Sequence, residues 1–413
     1  MRAGAMRGLL LLLLLRPLLL LLLLLALGCS DASIGIDASV SHDAALDARS
    51  DAACPRGPDR NGPYGRVVVE GDPDAAMGIF DASLEYAAGS EFGLMTYTAV
   101  PDPAHVHIAI AASIDGGSTW HYQSDVTLAQ PITIATLDED VCGADTCTGT
   151  FVHESSSLVI DPEDPDVDRR LKVFAHGYFH SPTERWLRLG YLALYTAAAP
   201  EGPWAETRLF GWPSPSPVST AGVVRDISED PTLSELADCF IVAEPGGMLS
   251  PSGELDLALS CPVVGGDSDT IEVRLLRSSD HGATWRVVST LLTPDDALRL
   301  GSTTPRINGA DLFLAAGQPR LIVSPEGPVD GPDGTFEGYR GCLVLPFEDL
   351  ERGQLAQCDG APRVEAAYLG EPGRFVGACS AADGATPLGM FLPIPEFGAS
   401  DVFRLFAAPL DMP

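Results

Sequence analysis

The sequence predicts an all-β chain built from repeated four-stranded units, and three observations carry that expectation. Glycine and proline are abundant, 42 and 34 in 413 residues, which suits short strands joined by turns. Short apolar runs recur along the chain, separated by turn-forming residues. One pattern, S-x-D-x-G-x-T-W, occurs twice, at Ser113–Trp120 and Ser278–Trp285, each time directly after an apolar run. Its chemistry is that of a hairpin turn. The aspartate accepts backbone N–H groups, the glycine takes the positive φ, and the tryptophan packs between neighbouring sheets.

Taken as register marks, the two patterns divide the chain into five units. Unit one has strands at Phe80–Tyr86, Phe92–Tyr97 and His105–Ala111, the last running into the first pattern. Unit two has His153–Ile160, Leu171–Ala175 and Leu187–Tyr195, then a turn, Thr196–Trp204, that keeps only the Gly and the Trp. Unit three has Val242–Met248, Leu255–Leu259 and Ile271–Leu276, running into the second pattern. Unit four has Gly309–Leu314, Arg320–Ser324 and Gly341–Leu345, and unit five Phe375–Cys379, Leu388–Leu392 and Val402–Phe406. The chain ends one strand short. Arg66–Glu70, which precedes unit one, is expected to supply that strand, closing a ring and removing exposed sheet edges. The expected fold is therefore a five-bladed β-propeller over residues 62–413, with a six-bladed ring as the alternative.

The first segment reads as a targeting signal. Arg2 and Arg7 precede a leucine-rich run, Leu9–Leu27, that ends Ala26-Leu27-Gly28-Cys29. It resembles a bacterial lipoprotein signal over residues 1–28, which implies lipidation of Cys29 and display at the outer membrane or cell surface; an uncleaved anchor is the alternative. Residues 29–61 are rich in Asp, Ala and Ser with few large apolar side chains, and are expected to form a disordered tether.

Carboxylates number 57 against 25 basic residues, a net charge of −32, and Lys172 is the one lysine. That acidity excludes nucleic acid, which needs a basic footprint. Eight cysteines besides Cys29 suit an oxidising compartment. The pairs suggested by spacing are Cys142–Cys147, Cys239–Cys261 and Cys342–Cys358, with Cys54–Cys379 joining the ends, although spacing does not establish connectivity. The expected state is a monomer.

Side chains at the start of the inner strands should line a central pocket. The unit register aligns Asp81, Glu154, Glu244 and Asp311. Carboxylates crowded round one axis repel, and some pKa values should rise. That supplies the acid and base of glycoside hydrolysis. An alternative role for any one of these acids is to accept backbone N–H groups of a neighbouring sheet. His153 and His176 lie near the same level, and Tyr339-Arg340 offers a pocket arginine beside a phenol. Trp186 and Trp212 are candidates to stack on sugar rings. No cofactor is called for; an axial metal ion is compatible with the pattern.

The twice-repeated pattern resembles the Asp-box of sialidase-type (BNR repeat) propellers, an element of folding rather than of catalysis. The order of inner-strand acids resembles the five-bladed glycoside hydrolases of the family 43 type. That resemblance implies Asp81 as base, Glu154 in the place of an orienting aspartate, and Glu244 as acid, with Asp311, Arg340, Tyr339, His153 and His176 around a glycan or polysaccharide. The sialidase resemblance implies instead a tyrosine nucleophile activated by a glutamate and a cluster of arginines, for which Arg306, Arg320 and Arg340 are available; the Arg-Ile-Pro motif of that family does not precede Ser113. A non-catalytic glycan- or protein-binding propeller remains the other reading.

Overall fold

The computed structural model describes residues 56–410 apart from 88, 136–140, 212–224, 228–229, 264–269, 332–333, 370–375, 383–389 and 396–402. The signal, Cys29, most of the tether, Cys54 and Trp212 lie outside the described residues. Among the described residues, five sheets hold four or more strands. The first is built on Ile79–Tyr86, Gly93–Ala99, His107–Ser113 and Trp120–Asp125. The second is built on Thr146–Ile160, Leu171–His180, Arg185–Ala197 and Ala205–Gly211, and the third on Ala243–Leu249, Leu255–Val263, Thr270–Ser278 and Arg286–Leu292. The fourth contains Ile307–Ala315, Gln318–Gly331, Cys342–Asp349 and Ala366–Leu369, and the fifth Ser380–Ala381, Met390–Pro395 and Phe403–Ala408.

The fifth sheet is completed from the other end of the chain. Gly65–Val67 pairs antiparallel with Phe403–Ala408, placing Arg66 opposite Phe406. The next residues, Val69–Glu70, join the outer edge of the first sheet. One short segment thus covers two edges that would otherwise be open to other chains.

Period-two alternation explains how such sheets stack. In Gly93–Ala99 every residue is buried, because both faces are covered. Leu94 packs into the core shared with the second sheet, while Met95 and Tyr97 pack with Leu405 and Ala407 of the fifth. Phe174 and Val173 likewise face opposite neighbours, as do Leu257 and Ala258, and Leu321 and Ile322. Each gap between successive sheets is filled by its own apolar cluster, and the gap between fifth and first is filled too. The architecture is a ring of radial sheets, a β-propeller.

The two S-x-D-x-G-x-T-W turns fold alike. Asp115 Oδ1 accepts Thr119 N–H at 2.9 Å and Asp280 Oδ1 accepts Thr284 N–H at 2.7 Å. Ser113 and Ser278 Oγ each accept the glycine N–H at 2.8 Å, and both tryptophan Nε1 donate to a glycine carbonyl at 3.1 Å. Trp120 and Trp285 are buried in the apolar clusters between sheets, where each turn leads into the fourth strand.

The disulfides partly follow the spacing. Cys142–Cys147 and Cys239–Cys261 form as expected. Cys342 pairs with Cys379, across the gap between the fourth and fifth sheets, rather than with Cys358. Closeness in sequence misled here, because residues 342–358 run away from one another along a strand and its turn while Cys379 arrives from the adjacent sheet. Cys358 is itself disulfide-bonded.

Candidate active site

The inner strands of the first four sheets each carry a one-residue bulge. The pairing registers slip between Phe80 and Ser83, at Glu154–Ser156, between Ala243 and Gly246, and between Asn308 and Asp311. In these four bulges one residue has a left-handed backbone: Asp81 (φ 46°), Ser155 (55°), Glu244 (48°) and Gly309 (58°). Ala378, φ 51°, occupies the same place just before the short fifth inner strand. A non-glycine residue there costs on the order of 1 kcal/mol, yet Asp81 and Glu244 are retained in it. The bulge turns their side chains to the axis.

These five positions are the structural equivalents, and they correct the register read from sequence. Asp81 and Glu244 are equivalent, as expected. Glu154 precedes its bulge residue, Ser155, by one, and Asp311 follows Gly309 by two. A bulge adds a residue that alternation alone does not reveal. The Asn308-Gly309 dipeptide, a common carrier of positive φ, was the available signal.

Two residues past each bulge runs a belt of bonds from sheet to sheet. Ser83 Oγ accepts Leu158 N–H at 2.9 Å, Ser157 Oγ accepts Gly247 N–H at 2.7 Å, and Ser380 Oγ accepts Leu84 N–H at 3.2 Å. Asp311 takes the corresponding place in the fourth sheet, accepting Ala381 N–H and a bond from Ser380. Burial nonetheless pushes its carboxyl up to about 7. In the third sheet the place is held by Gly246, where an added Cβ would come within 2.2 Å of Ala310 O.

Asp81, Glu244, Ser155 and Asp311 line one axial cavity of about 30 Å³, room for about two waters. A sugar ring must therefore sit over its mouth. Asp81 Oδ2 accepts Ser155 Oγ–H at 2.8 Å. Burial, and then the negative charge of Glu154, push the Asp81 carboxyl up to about 7. Glu244 Oε2 accepts Gly309 N–H at 2.6 Å, while Oε1 accepts Asn308 Nδ2–H at 3.2 Å and the Tyr339 hydroxyl at 3.1 Å. Burial, then Asp81, raise Glu244 to about 8. With those three bonds filled, a protonated Glu244 keeps one direction on Oε2 for its acidic hydrogen.

Glu154 does not line that cavity. Arg185 Nη1 holds both its oxygens at 3.4 Å, and the buried Tyr178 lies in the field of the pair. His176 is buried, bonded to the Leu187 carbonyl, and burial lowers it to about 4. His153 Nε2 bonds the Tyr195 hydroxyl at 2.8 Å, and burial lowers it to about 3. Both imidazoles are therefore neutral. Trp186 packs into the core between the first and second sheets. Of the three arginines, Arg306 pairs with Glu326 at 2.8 Å and Arg320 with Glu365, while Arg340 is exposed beside Tyr339 with no acidic partner among the described residues. Sequence reasoning missed Ser155, Arg185, Asn308 and also Glu85, an acid further down the inner strand that burial and Asp311 push up to about 8. Nothing local marks Arg185 as the partner of Glu154 or Asn308 as the partner of Glu244; only sheet neighbours bring them together.

Three donor groups have metal-like geometry among the described residues, and none includes an axial carboxylate of the first or third sheet. In one of them the sulfurs of Cys239 and Cys261 are already joined in a disulfide.

No protein-family model matches the chain, and no curated protein matches it. Solved structures with similar backbones include the Hadza microbial sialidase Hz136, at 13% identity and TM-score 0.43 over 82% of this chain and 58% of that one. The Bombyx mori GH32 beta-fructofuranosidase BmSUC1 aligns at 16% identity and TM-score 0.46, over 84% and 61%. The alpha-L-arabinofuranosidase PaAbf62A from Podospora anserina aligns at 12% identity and TM-score 0.42, over 88% and 99%. The chain spans about three fifths of the length of the first two.

Proposed function

We propose that the chain is an exported five-bladed propeller acting as a glycoside hydrolase at the ring axis, with Asp81 as general base and Glu244 as general acid. The observation that carries the reading is that these two acids occupy equivalent left-handed bulges of the first and third sheets and line one cavity. Burial raises both carboxyls, Asp81 to about 7 and Glu244 to about 8, the order in which a base gives up its proton before an acid does. The water-sized cavity between inner strands suits activation of a water by Asp81, the inverting arrangement. Glu154, fixed by Arg185, acts on Asp81 through its charge. The five cyclic inter-sheet cores support the blade count.

A second reading rests on one contact. The Tyr339 hydroxyl donates to Glu244 Oε1 at 3.1 Å with Arg340 exposed alongside. In that reading Glu244 takes the phenol proton, Tyr339 attacks the anomeric carbon, and Asp81 serves as acid and then base, as in a sialidase-type reaction. The substrate is then an acidic sugar end held by Arg340. The two are separated by stereochemistry: inversion for the first, retention for the second. Purified protein is screened on aryl-glycosides, arabinan and aryl-sialosides, with Tyr339→Phe as the dividing variant. Inverting turnover that survives Tyr339→Phe supports the first reading, and activity that survives Glu244→Gln overturns both. A folded protein that binds glycans without cleaving any supports the non-catalytic alternative.

Residues 1–28 act as the export signal and Cys29 as the lipidated residue, with 29–61 as the tether; incorporation of labelled palmitate that persists in Cys29→Ala removes this assignment.

A further inference from the structure

The outer half of the first sheet carries a group of donors that the axial chemistry does not use. His107, at the start of the third strand, is 3% exposed. Its Nδ1 lies 3.2 Å from the His105 carbonyl oxygen. A carbonyl can only accept, so Nδ1 carries the hydrogen and, in the neutral ring, Nε2 presents a lone pair. Nε2 makes no hydrogen bond, and neither does the buried Asp125 Oδ1 that it faces at 3.3 Å. Asp74 Oδ2 stands at 3.9 Å from the same nitrogen. The three donor atoms all lie within 4.8 Å of one another. Asp72 is close behind, accepting the Tyr97 hydroxyl at 2.8 Å, and Tyr122 is bonded to Asp125 and lies in the field of all three carboxylates.

A lone pair aimed at two carboxylates is an arrangement that a cation resolves. The same molecule shows what a resolved case looks like. Asp161, Asp164 and His281 form a group of identical composition where a turn of the second sheet meets the Ser278–Trp285 turn of the third. There the cation is built in. Lys172, the sole lysine and fully buried, places Nζ 2.5 Å from Asp164 Oδ2 and 3.5 Å from Asp161 Oδ2. Around Asp74, His107 and Asp125, no Lys or Arg among the described residues comes within ion-pair distance. The Nδ1–H bond to a backbone carbonyl is also the usual way an imidazole ligand is oriented for a metal at Nε2.

We propose that Asp74, His107 and Asp125 bind one divalent transition-metal cation, with Zn²⁺ the best match. One imidazole nitrogen and two carboxylate oxygens suit a four-coordinate borderline ion, the fourth position going to water or to Asp72. Ca²⁺ takes roughly six to eight oxygens, more than this group offers. The ion would tie the segment holding Asp74 to the third and fourth strands of the sheet. That segment continues through Met77, whose N–H bonds the Val100 carbonyl at 2.8 Å, into the strand that carries Asp81. The site would thereby fix the edge-closing N-terminal segment against the first inner strand.

Full-length protein stripped with a chelator and titrated with ZnCl₂ in a calorimeter should bind one equivalent, and its thermal unfolding should move up on reloading. Asp74→Asn, whose side chain is half-exposed and whose loss leaves the core intact, and His107→Gln should each weaken Zn²⁺ at least about tenfold. His121→Gln, on the exposed face of the same sheet, should change it less than twofold, and CaCl₂ should not compete. Far-UV circular dichroism checks that each variant is folded; if His107→Gln is not, Asp74→Asn decides alone. The proposal is overturned if folded protein binds no Zn²⁺, the result expected of a protonated His107 paired with Asp125. Equal binding by Asp74→Asn, or Ca²⁺ binding ahead of Zn²⁺, also overturns it.

Discussion

The five left-handed positions at the ring axis share one backbone conformation but not one chemistry. On one side of the ring the left-handed position holds Asp81, Ser155 and Glu244; on the other it holds Gly309 and Ala378. All five positions line the water-sized cavity, and the polar side sets on it two acids whose pKa values are raised by burial. On the small-residue side the two backbones approach closely, since a Cβ on Gly309 would stand 2.7 Å from Ala378 Cα. The left-handed position is thus a device of the fold, and the residue set on it decides whether an inner strand brings a polar or a small side chain to the axis.

The comparison is broken most directly at the acids. Glu244→Gln keeps the acceptor for Gly309 N–H but removes the proton donor. It should lower kcat/KM on any hydrolysed aryl-glycoside by about 10³-fold, roughly 4 kcal/mol. Asp81→Asn should do the same, whereas Ala378→Ser should stay within about threefold, under 1 kcal/mol. Comparable losses in all three would erase the distinction between the two sides.

Acid titration sharpens it. Both carboxyls have folded pKa values above their unfolded ones, so the stability they contribute is complete below about 4 and is lost as pH rises through about 7 to 8. Urea unfolding of Glu244→Gln should therefore gain on wild type between pH 6 and pH 9, by about 1–3 kcal/mol. Activity should rise as Asp81 ionises near 7 and fall as Glu244 loses its proton near 8, the two limbs belonging to the pair rather than to either group alone.

The packing side has its own test. Gly309→Ala adds a methyl against Ala378 in a left-handed position and should cost about 1–3 kcal/mol in thermal unfolding. A loss below about 0.5 kcal/mol would show that the small side is not close-packed. The smallest effect is expected in the belt. Ser157→Ala leaves Gly247 N–H without its acceptor and should cost about 1 kcal/mol.

Much of the fold was legible in the chain. Glycine, proline and the two turn patterns carry local information: a side chain accepting N–H groups within four residues needs nothing from elsewhere. Apolar runs with both faces buried are also local, which is why the all-β propeller class, and the pairing of Arg66 with the strand Phe403–Ala408, could be read without coordinates. Asp81 and Glu244 were legible because each lies at the start of such a run. What the sequence could not decide depended on neighbours brought in from other sheets. The bulge adds one residue that no apolar period registers, so Glu154 and Asp311 were aligned with positions they do not hold. Cys342 meets Cys379 rather than Cys358 because the fourth and fifth sheets face each other. Arg185 on Glu154, Asn308 and Tyr339 on Glu244, and His107 before Asp74 and Asp125 are all contacts that no local pattern in the sequence marks. Local bonding and periodicity fix which residues form strands and turns; only the closed ring fixes which side chains share a site, because that depends on distances across the axis and between sheets.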